Sequence, residues 1–414
     1  MTTASVRGLN HSTRFAACAI TLAALAAVSA QAQWTVTRLS IEGTRGVYLL
    51  DGRHGEAVGY GGNDAWGMRA FGWTQIGSAP IDLSPPQTLD VAVAYGVDDG
   101  VQVGCVILNT HEEHAVLWTG VPDTWVDLNP LGSTYSHAYG VGSDEQVGVA
   151  MIDDRSHASL WRGSAESWVD LHPQGAESSF ATAAWNGQQA GHVWTNGAAH
   201  AALWSGSADS FVSLHPSGAF SSGIWRLHSG QQVGSVQFTE GGPSFASVWS
   251  GSADSWVNLN PPGAARSAAF AVFGGWQGGN ALINGVEHAG IWRGTADSWV
   301  PLPFPSDGFA YTGAIVRGIW TDGDTLYAAG NASELPRNTV PVLWSRPLSA
   351  RGCDTLDFNR DGLFPDAADL TDFLAAFGGA PCDTCGDLDF NNDGLMPDND
   401  DIASFFSVVG GGPC

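Results

Sequence analysis

The 414-residue chain contains no lysine; all sixteen of its basic residues are arginine. That absence excludes a Schiff-base nucleophile and a complete phosphate-binding Gly-Lys-Ser/Thr loop. Charge is scarce and one-sided: 41 acidic residues leave a net charge of −25. A balance this acidic argues against nucleic acid or anionic lipid as a partner. Past residue 32 there is no apolar run long enough to span a bilayer, so no membrane span is expected. Cysteine is sparse in the body of the chain, where Cys105 stands alone in an apolar stretch, while four more fall in the last 62 residues. No local nucleophile–base motif announces a catalytic centre, and the carboxylates Glu112, Glu113, Asp153, Asp154, Asp322 and Asp324 fall in expected turns, where solvated acids are ordinary.

Residues 1–32 read as a secretory signal peptide. Arg7 and Arg14 precede the apolar run Phe15–Ala30, and Ala30-Gln31-Ala32 has small-x-small cleavage spacing. The expectation is an exported protein, extracellular, periplasmic or at the cell surface, in a compartment that permits disulfides.

What the chain has in abundance is repetition. The signature His-Ala-x-Leu/Ile-Trp appears at His114–Trp118, His157–Trp161, His200–Trp204 and His288–Trp292. Phe245–Trp249 is a variant, and weaker copies end at Trp73 and Trp344. The signature tryptophans lie 43 to 52 residues apart, so the fold is built from copies of one unit. The unit from Ser136 to Gly175 reads as four short strands separated by turns, the size of one propeller blade. An aromatic follows the signature Trp by seven residues at Trp125, Trp168, Phe211, Trp256 and Trp299. A ring at that fixed phase is expected to wedge between neighbouring sheets. The repeated His is expected to bond a turn backbone, an architectural role. If Trp34 to Ser40 completes the unit containing Trp344, the result is an all-β fold, a seven-bladed β-propeller of four-stranded blades over residues 33–350. Six units or an open array also fit the count.

The pattern Gly140-Val141, Gln146-Val147-Gly148, His157-Ala158-Ser159-Leu160-Trp161 and Val169-Asp170-Leu171 resembles the bacterial HAF extracellular repeats. The likeness covers roughly residues 46 to 346. It implies export and a propeller-like array and supplies no catalytic residue.

Composition changes after Leu348. Residues 353–414 carry thirteen Asp and no Glu, in two copies offset by 32 residues. Asp357-x-Asn359-x-Asp361-Gly362 returns as Asp389-x-Asn391-x-Asp393-Gly394. Alternate oxygen side chains aimed at one centre, with Gly allowing the sharp turn, form the first half of a calcium loop. Leu363 and Leu395 would donate backbone carbonyls; Asp366 and Asp369, and Asp398 and Asp401, would be later ligands, one residue displaced from the usual spacing. Leu370, Phe373, Leu374 and Phe377 fall at i, i+3, i+4 and i+7, repeated by Ile402, Phe405, Phe406 and Val409, so a helix follows each loop and the two apolar stripes should pack together. Cys353–Cys382 and Cys385–Cys414 would each bracket one copy, for about 3–4 kcal/mol of chain-entropy stabilisation per bridge.

Residues 351–414 resemble dockerin modules, tandem EF-hand-type sites, with cysteine-flanked copies longer than usual. The resemblance implies a small α-helical module, about two Ca²⁺ ions, and a cohesin-like or cell-surface protein partner. Two functions follow as expectations. The first is a secreted non-enzymatic binding or display protein, with the tail used for attachment or assembly. The alternative is an extracellular polysaccharide-active enzyme, a glycoside hydrolase or lyase, carrying the same tail. Carbohydrate is a candidate ligand of the propeller: Trp185, Trp225, Trp276 and Trp320, with Gln188, Arg226 and Asn280 nearby, could share one sugar-stacking rim, against the plainer reading that they pack between blades. An inward-facing carboxylate pair would favour the enzyme.

Overall fold

The computed structural model describes residues 34–348, apart from 40, 42, 64–66, 87, 109, 121–123, 324 and 336–337. In the C-terminal segment it describes residues 356, 358, 359, 367–380, 388, 390 and 399–409. The leader and the cysteines at 353, 382, 385 and 414 lie outside the described residues, so the bridges expected between them are not addressed by the structure.

Among the described residues, 28 strands form three four-stranded sheets and two eight-stranded ones. Each eight-stranded sheet is made of two antiparallel four-stranded halves joined by a single parallel bridge. Counted by their antiparallel ladders, the strands give seven units in a propeller-like architecture. The first strands of units 1 to 7 are Arg45–Arg53, Thr88–Asp98, Ser136–Gly142, Ser178–Trp185, Ser221–His228, Arg266–Phe273 and Tyr311–Asp322. Unit 7 takes its fourth strand from the other end of the chain: Thr35–Arg38 pairs antiparallel with Asn338–Pro347, Val36 opposite Trp344. Unit 7 then packs on unit 1, with Trp320 and Ala329 in one core with Leu49 and Ala57. Asn331 fastens that seam: its side chain accepts from the Leu49 N–H and donates to the Leu49 carbonyl, both at 2.8 Å. No helix among the described residues is long and apolar enough to cross a membrane.

The repeat motif can be read as a set of fasteners. In Gln-Val-Gly, the Gln side chain accepts from the backbone N–H of the Gly two residues after the signature Trp, as Gln146 does from Gly163 at 2.7 Å and Gln189 from Gly206 at 2.7 Å. The N–H of the signature Ala reaches the next unit, Ala158 to Ser179 Oγ and Ala201 to Ser222 Oγ, each at 2.8 Å. The second leaves a buried backbone donor satisfied at a place where no strand partner exists.

One expectation about the motif is extended and one is corrected. The signature tryptophan also fills the junction between neighbouring sheets: Trp118, Trp161, Trp204, Trp249, Trp292 and Trp344 are all fully buried. Trp204 of unit 4, for example, sits in one cluster with Val147, Leu160 and Leu171 of unit 3. The aromatic seven residues later packs against the same junctions and stays partly exposed: Trp168 leans on a cluster formed by Val103, Leu117 and Leu128 of unit 2 with Ala138 and Trp161 of unit 3, and Phe211 on one shared by units 3 and 4. The signature His bonds a side chain, not a turn backbone. His114 meets Asp127 and His157 meets Asp170, both at 2.8 Å through Nδ1. Where the partner position is Ser213 or Pro301, His200 stacks on His215 at 3.9 Å and His288 packs on Phe304.

In the C-terminal segment, α1 (Ala367–Phe377) and α2 (Asn399–Val409) occupy equivalent positions of the two copies. Phe373 of α1 and Phe405 of α2 stack at 4.1 Å with rings 3° from parallel. Phe358 and Phe390, from the two loops, close the same core. The copies therefore share one hydrophobic centre.

Candidate functional site: the channel between the units

The first strand of every unit carries a β-bulge at an equivalent place, at Leu50, Tyr95, Tyr139, Thr182, Trp225, Phe270 and Arg317, and those of units 1, 2 and 7 have a second register shift nearer their start. Its cause is visible in the repeat. The Gly of Gln-Val-Gly lies on the facing strand with no space for a side chain; a Cβ on Gly148 would run into the carbonyl oxygen of His137, and Gly191 and Gly279 stand the same way against Phe180 and Ala268. The close approach lets the first strand buckle by one residue, and a bulge re-aims the extra side chain. The bulged residues meet their neighbours around the ring: Tyr95 and Tyr139 at 5.3 Å, Trp225 and Phe270 at 6.2 Å, and the Arg317 guanidinium over Phe270 at 4.4 Å.

One residue past the bulge of unit 5, Arg226 spans the ring. It donates to Asp51 Oδ1 at 3.2 Å, to the Leu50 carbonyl at 3.1 Å and to the Tyr95 carbonyl at 3.4 Å, on units 1 and 2 opposite. Asp51 also accepts from the backbone N–H of Gly52 and of Val97. The void beside this tie, lined among others by Thr182, Arg226 and Arg317, measures only about 20 Å³, room for about one water. Near the hairpin turn that follows, Arg53 pairs with Asp98 at 3.0 Å. His54, Asp98 and Asp99 lie close enough to hold a cation, but Asp98 Oδ1 already faces Arg53 and Asp99 is exposed. His228, stacked on Phe273 at 4.6 Å, titrates at about 4 because burial, then the nearby Arg53 and His54, disfavour its charged form.

Beside the channel, the three strands of unit 7 from Tyr311 to Pro347, the second and third strands of unit 6, and Tyr48 of unit 1 line an open cavity of about 350 Å³. Arg317 lies between it and the smaller void. Burial, then repulsion from Arg226, lowers the Arg317 pKa to about 10.

The four tryptophans do not share one rim. Trp320 is fully buried on Tyr327. Trp276 is buried under Arg293, whose guanidinium sits 4.0 Å from the ring. Trp225 occupies a bulge with its Nε1 buried, and Trp185 leans on His228. Of their polar neighbours, Arg226 crosses the channel and Asn280 lines the 350 Å³ cavity. Among the earlier acidic candidates, Glu113 pairs with His137 at 2.9 Å, Asp153 and Asp154 form a left-handed turn, and Asp324 lies outside the described residues. Cys105 is buried as a free thiol, its pKa pushed up to about 12 by burial. Sequence reasoning missed Asp51 and Arg317; the signal was the bulge-forming Gly, which marks the facing strand residue as channel-directed.

Of the twelve expected calcium-loop positions, Asn359, Asp369 and Asp401 are described; Asp357, Asp361, Leu363, Asp366, Asp389, Asn391, Asp393, Leu395 and Asp398 lie outside the described residues. Asp369 and Asp401 hold equivalent places in the first turns of α1 and α2, and both are buried. Asn359 folds back on α1, its N–H donating to Asp369 Oδ1 at 3.3 Å and its side-chain amide to Asp372 at 3.0 Å.

No family model matches the chain, and no curated protein matches it. Among solved structures it is similar to a puromycin hydrolase at 12% identity and a TM-score of 0.46, over 76% of this chain and 54% of that one. It is similar to a Niastella koreensis GH74 enzyme at 14% identity and 0.45, over 73% and 43%. A third is TolB from Acinetobacter baumannii, at 10% identity and 0.35, over 59% and 63%. The chain spans about half the length of the first of these.

Proposed function

We propose that the protein is a secreted, non-enzymatic binding or display protein: a seven-bladed propeller of HAF-type repeats over residues 33–350, followed by a dockerin-like calcium module over residues 351–414. The observation that carries the non-enzymatic reading is the state of the channel carboxylates. Asp51 is engaged by Arg226 and two backbone N–H groups, and Asp98 by Arg53. A glycosidase needs two carboxylates flanking the scissile bond, free to act as acid and base or nucleophile. Acids already engaged by arginines and backbone donors are not free for those roles, and the void beside Asp51 has no room for a sugar.

The tail chemistry suits a hard divalent cation. A carboxylate buried at the same phase in each copy is costly unless a cation or several donors compensate it. Asp357, Asn359, Asp361, the Leu363 carbonyl, Asp366 and Asp369 would hold one Ca²⁺, and Asp389, Asn391, Asp393, the Leu395 carbonyl, Asp398 and Asp401 the other. Bound calcium would supply a cross-link between each loop and its helix. The module's outward apolar side chains, Leu374, Phe406 and Val409, offer a surface for a cohesin-like or cell-surface partner.

The test incubates the full secreted chain with a panel of insoluble and soluble polysaccharides in calcium buffer. Retention on a polysaccharide without release of reducing or unsaturated ends is expected. Release of such ends would replace this reading with the polysaccharide-active enzyme. Calcium titration of the same chain should saturate near two ions.

A further inference from the structure

The cavity beside Arg317 contains an unusual combination of polar groups. Arg317 rests its guanidinium face on Phe270, but a cation–π contact leaves the N–H edge unused. Its Nε is buried with no acceptor, and among the described residues no carboxylate lies within ion-pair distance of it. In a chain of net charge −25, a cation held without an anion is an exception that calls for an explanation. The one acid lining the cavity, Glu287, is already bound to Arg266 and to the Asn280 amide nitrogen. That bond orients Asn280 so that its Oδ1 is buried and has no donor. Two residues lining the cavity thus carry a buried unmatched cationic donor and a buried unmatched neutral acceptor, with the hydroxyl-bearing Thr312, Ser333 and Thr339 also lining it. Tyr48, braced from behind by Tyr60 at 4.9 Å and itself exposed, supplies a flat apolar wall.

We propose that this cavity binds a hexuronate residue of an acidic polysaccharide. The carboxylate would pair with Arg317, a ring hydroxyl would donate to Asn280 Oδ1, and the sugar's C–H face would lie on Tyr48. The chemistry discriminates among ligands: a neutral sugar leaves the guanidinium unmatched, and an inorganic anion leaves Asn280 and Tyr48 unused. About 350 Å³ sits at the lower end of ordinary ligand sites, enough for one sugar unit with its neighbours in solvent. The proposal rests on the binding reading of the propeller and names its ligand class.

The experiment is calorimetric titration of the full-length protein, in calcium buffer, with a galacturonate or glucuronate trisaccharide, the matching neutral trisaccharide, and inorganic phosphate. Uronate binding at least tenfold tighter than the neutral sugar and phosphate is expected. Arg317→Met should weaken it at least tenfold, and Asn280→Asp, which puts a negative charge beside the carboxylate, should do the same. The melting temperature gives an independent readout. Removing an unpaired buried cation should leave the unliganded Arg317→Met protein as stable as the parent or more so, whereas an arginine present only for architecture would leave it less stable. Equal affinity for the neutral sugar, phosphate binding as tight as the uronate, no binding at all, or unchanged affinity in Arg317→Met would each overturn the assignment. If the uronate binds at this site and is also cleaved, the site stands and the non-enzymatic reading fails.

Discussion

Arg226 and Asp51 are 175 residues apart in sequence and 3.2 Å apart in space, joined across the ring from the fifth unit to the first. Their side chains keep only 21% and 14% of their exposure, so the pair is screened less than a surface ion pair. Asp51→Asn leaves the guanidinium facing Arg317 with no counter-charge. The expected cost is about 2–3 kcal/mol, below the range for a wholly buried pair, read as a lower urea midpoint. Arg317→Met in that background should recover part of the loss, because the remaining like-charge repulsion goes with it. An Asp51→Asn protein as stable as the parent would show that the tie contributes nothing.

The bulge argument makes a sharper comparison between two glycines of one unit. Gly163 has φ +81° and open space around its α-carbon, so Gly163→Ala costs only the left-handed backbone penalty, about 1 kcal/mol. Gly148 lies in an ordinary strand conformation, but a Cβ there collides with the His137 carbonyl. Backbone cannot move aside as a flexible side chain can, so Gly148→Ala should cost about 3 kcal/mol or more. Thermal unfolding of the two single variants checks the order, and equal losses would remove the bulge from the account of Gln-Val-Gly.

That comparison also marks what was legible in the sequence. The unit length and the four strands per unit follow from local periodicity, because each strand is specified by residues within about 43 of their repeat partners. The pairing of the N-terminal strand with the Trp344 strand followed only from a missing fourth strand, since Trp34 to Leu39 does not copy Trp-Val-x-Leu. The channel was not legible. Which residue a bulge turns inward depends on the Gly across the ladder, and Arg226 finds Asp51 only after the ring has closed. The His-Ala-x-Leu-Trp motif misled in the other direction. Its phase was plain, but the partner of His157 is Asp170, thirteen residues on, supplied by a fourth strand whose pairing spacing alone does not fix. In the tail, the paired helices were readable from i, i+3, i+4, i+7 spacing, and the stack of Phe373 on Phe405 is what two such stripes do when they face one another.

The shared tail core predicts coupled metal sites. Phe405→Ala removes a ring packed on Phe373, Phe390 and Phe406, for about 3–5 kcal/mol. Because Phe358 and Phe373 of the first copy lean on the same centre, calcium affinity should fall at both loops and not only at the second. Calorimetry of the full chain should then show two weakened sites. One intact site beside one lost site would mean that the copies fold independently.

The last prediction concerns acid sensitivity. His192, on the second strand of unit 4, stacks on Phe180 at 5.1 Å and meets Trp225 at 6.0 Å. Its Nδ1 is buried without a partner, and burial lowers its pKa to about 4. In the unfolded chain the ring titrates near 6.5. Between those values the unfolded chain carries a proton that the folded protein does not, so stability declines as pH falls from about 6.5 towards about 4 and this contribution levels off below it. Over the whole window the loss amounts to about 3 kcal/mol at most. Phenylalanine keeps the stack on Phe180 and cannot take a proton, so His192→Phe should lose less stability than the parent across that window. The melting temperatures of the two proteins would then diverge steadily on acidification from pH 7 to pH 4. A constant difference across the range would place the acid-sensitive group elsewhere, with His228, whose pKa is also lowered to about 4, the next to replace.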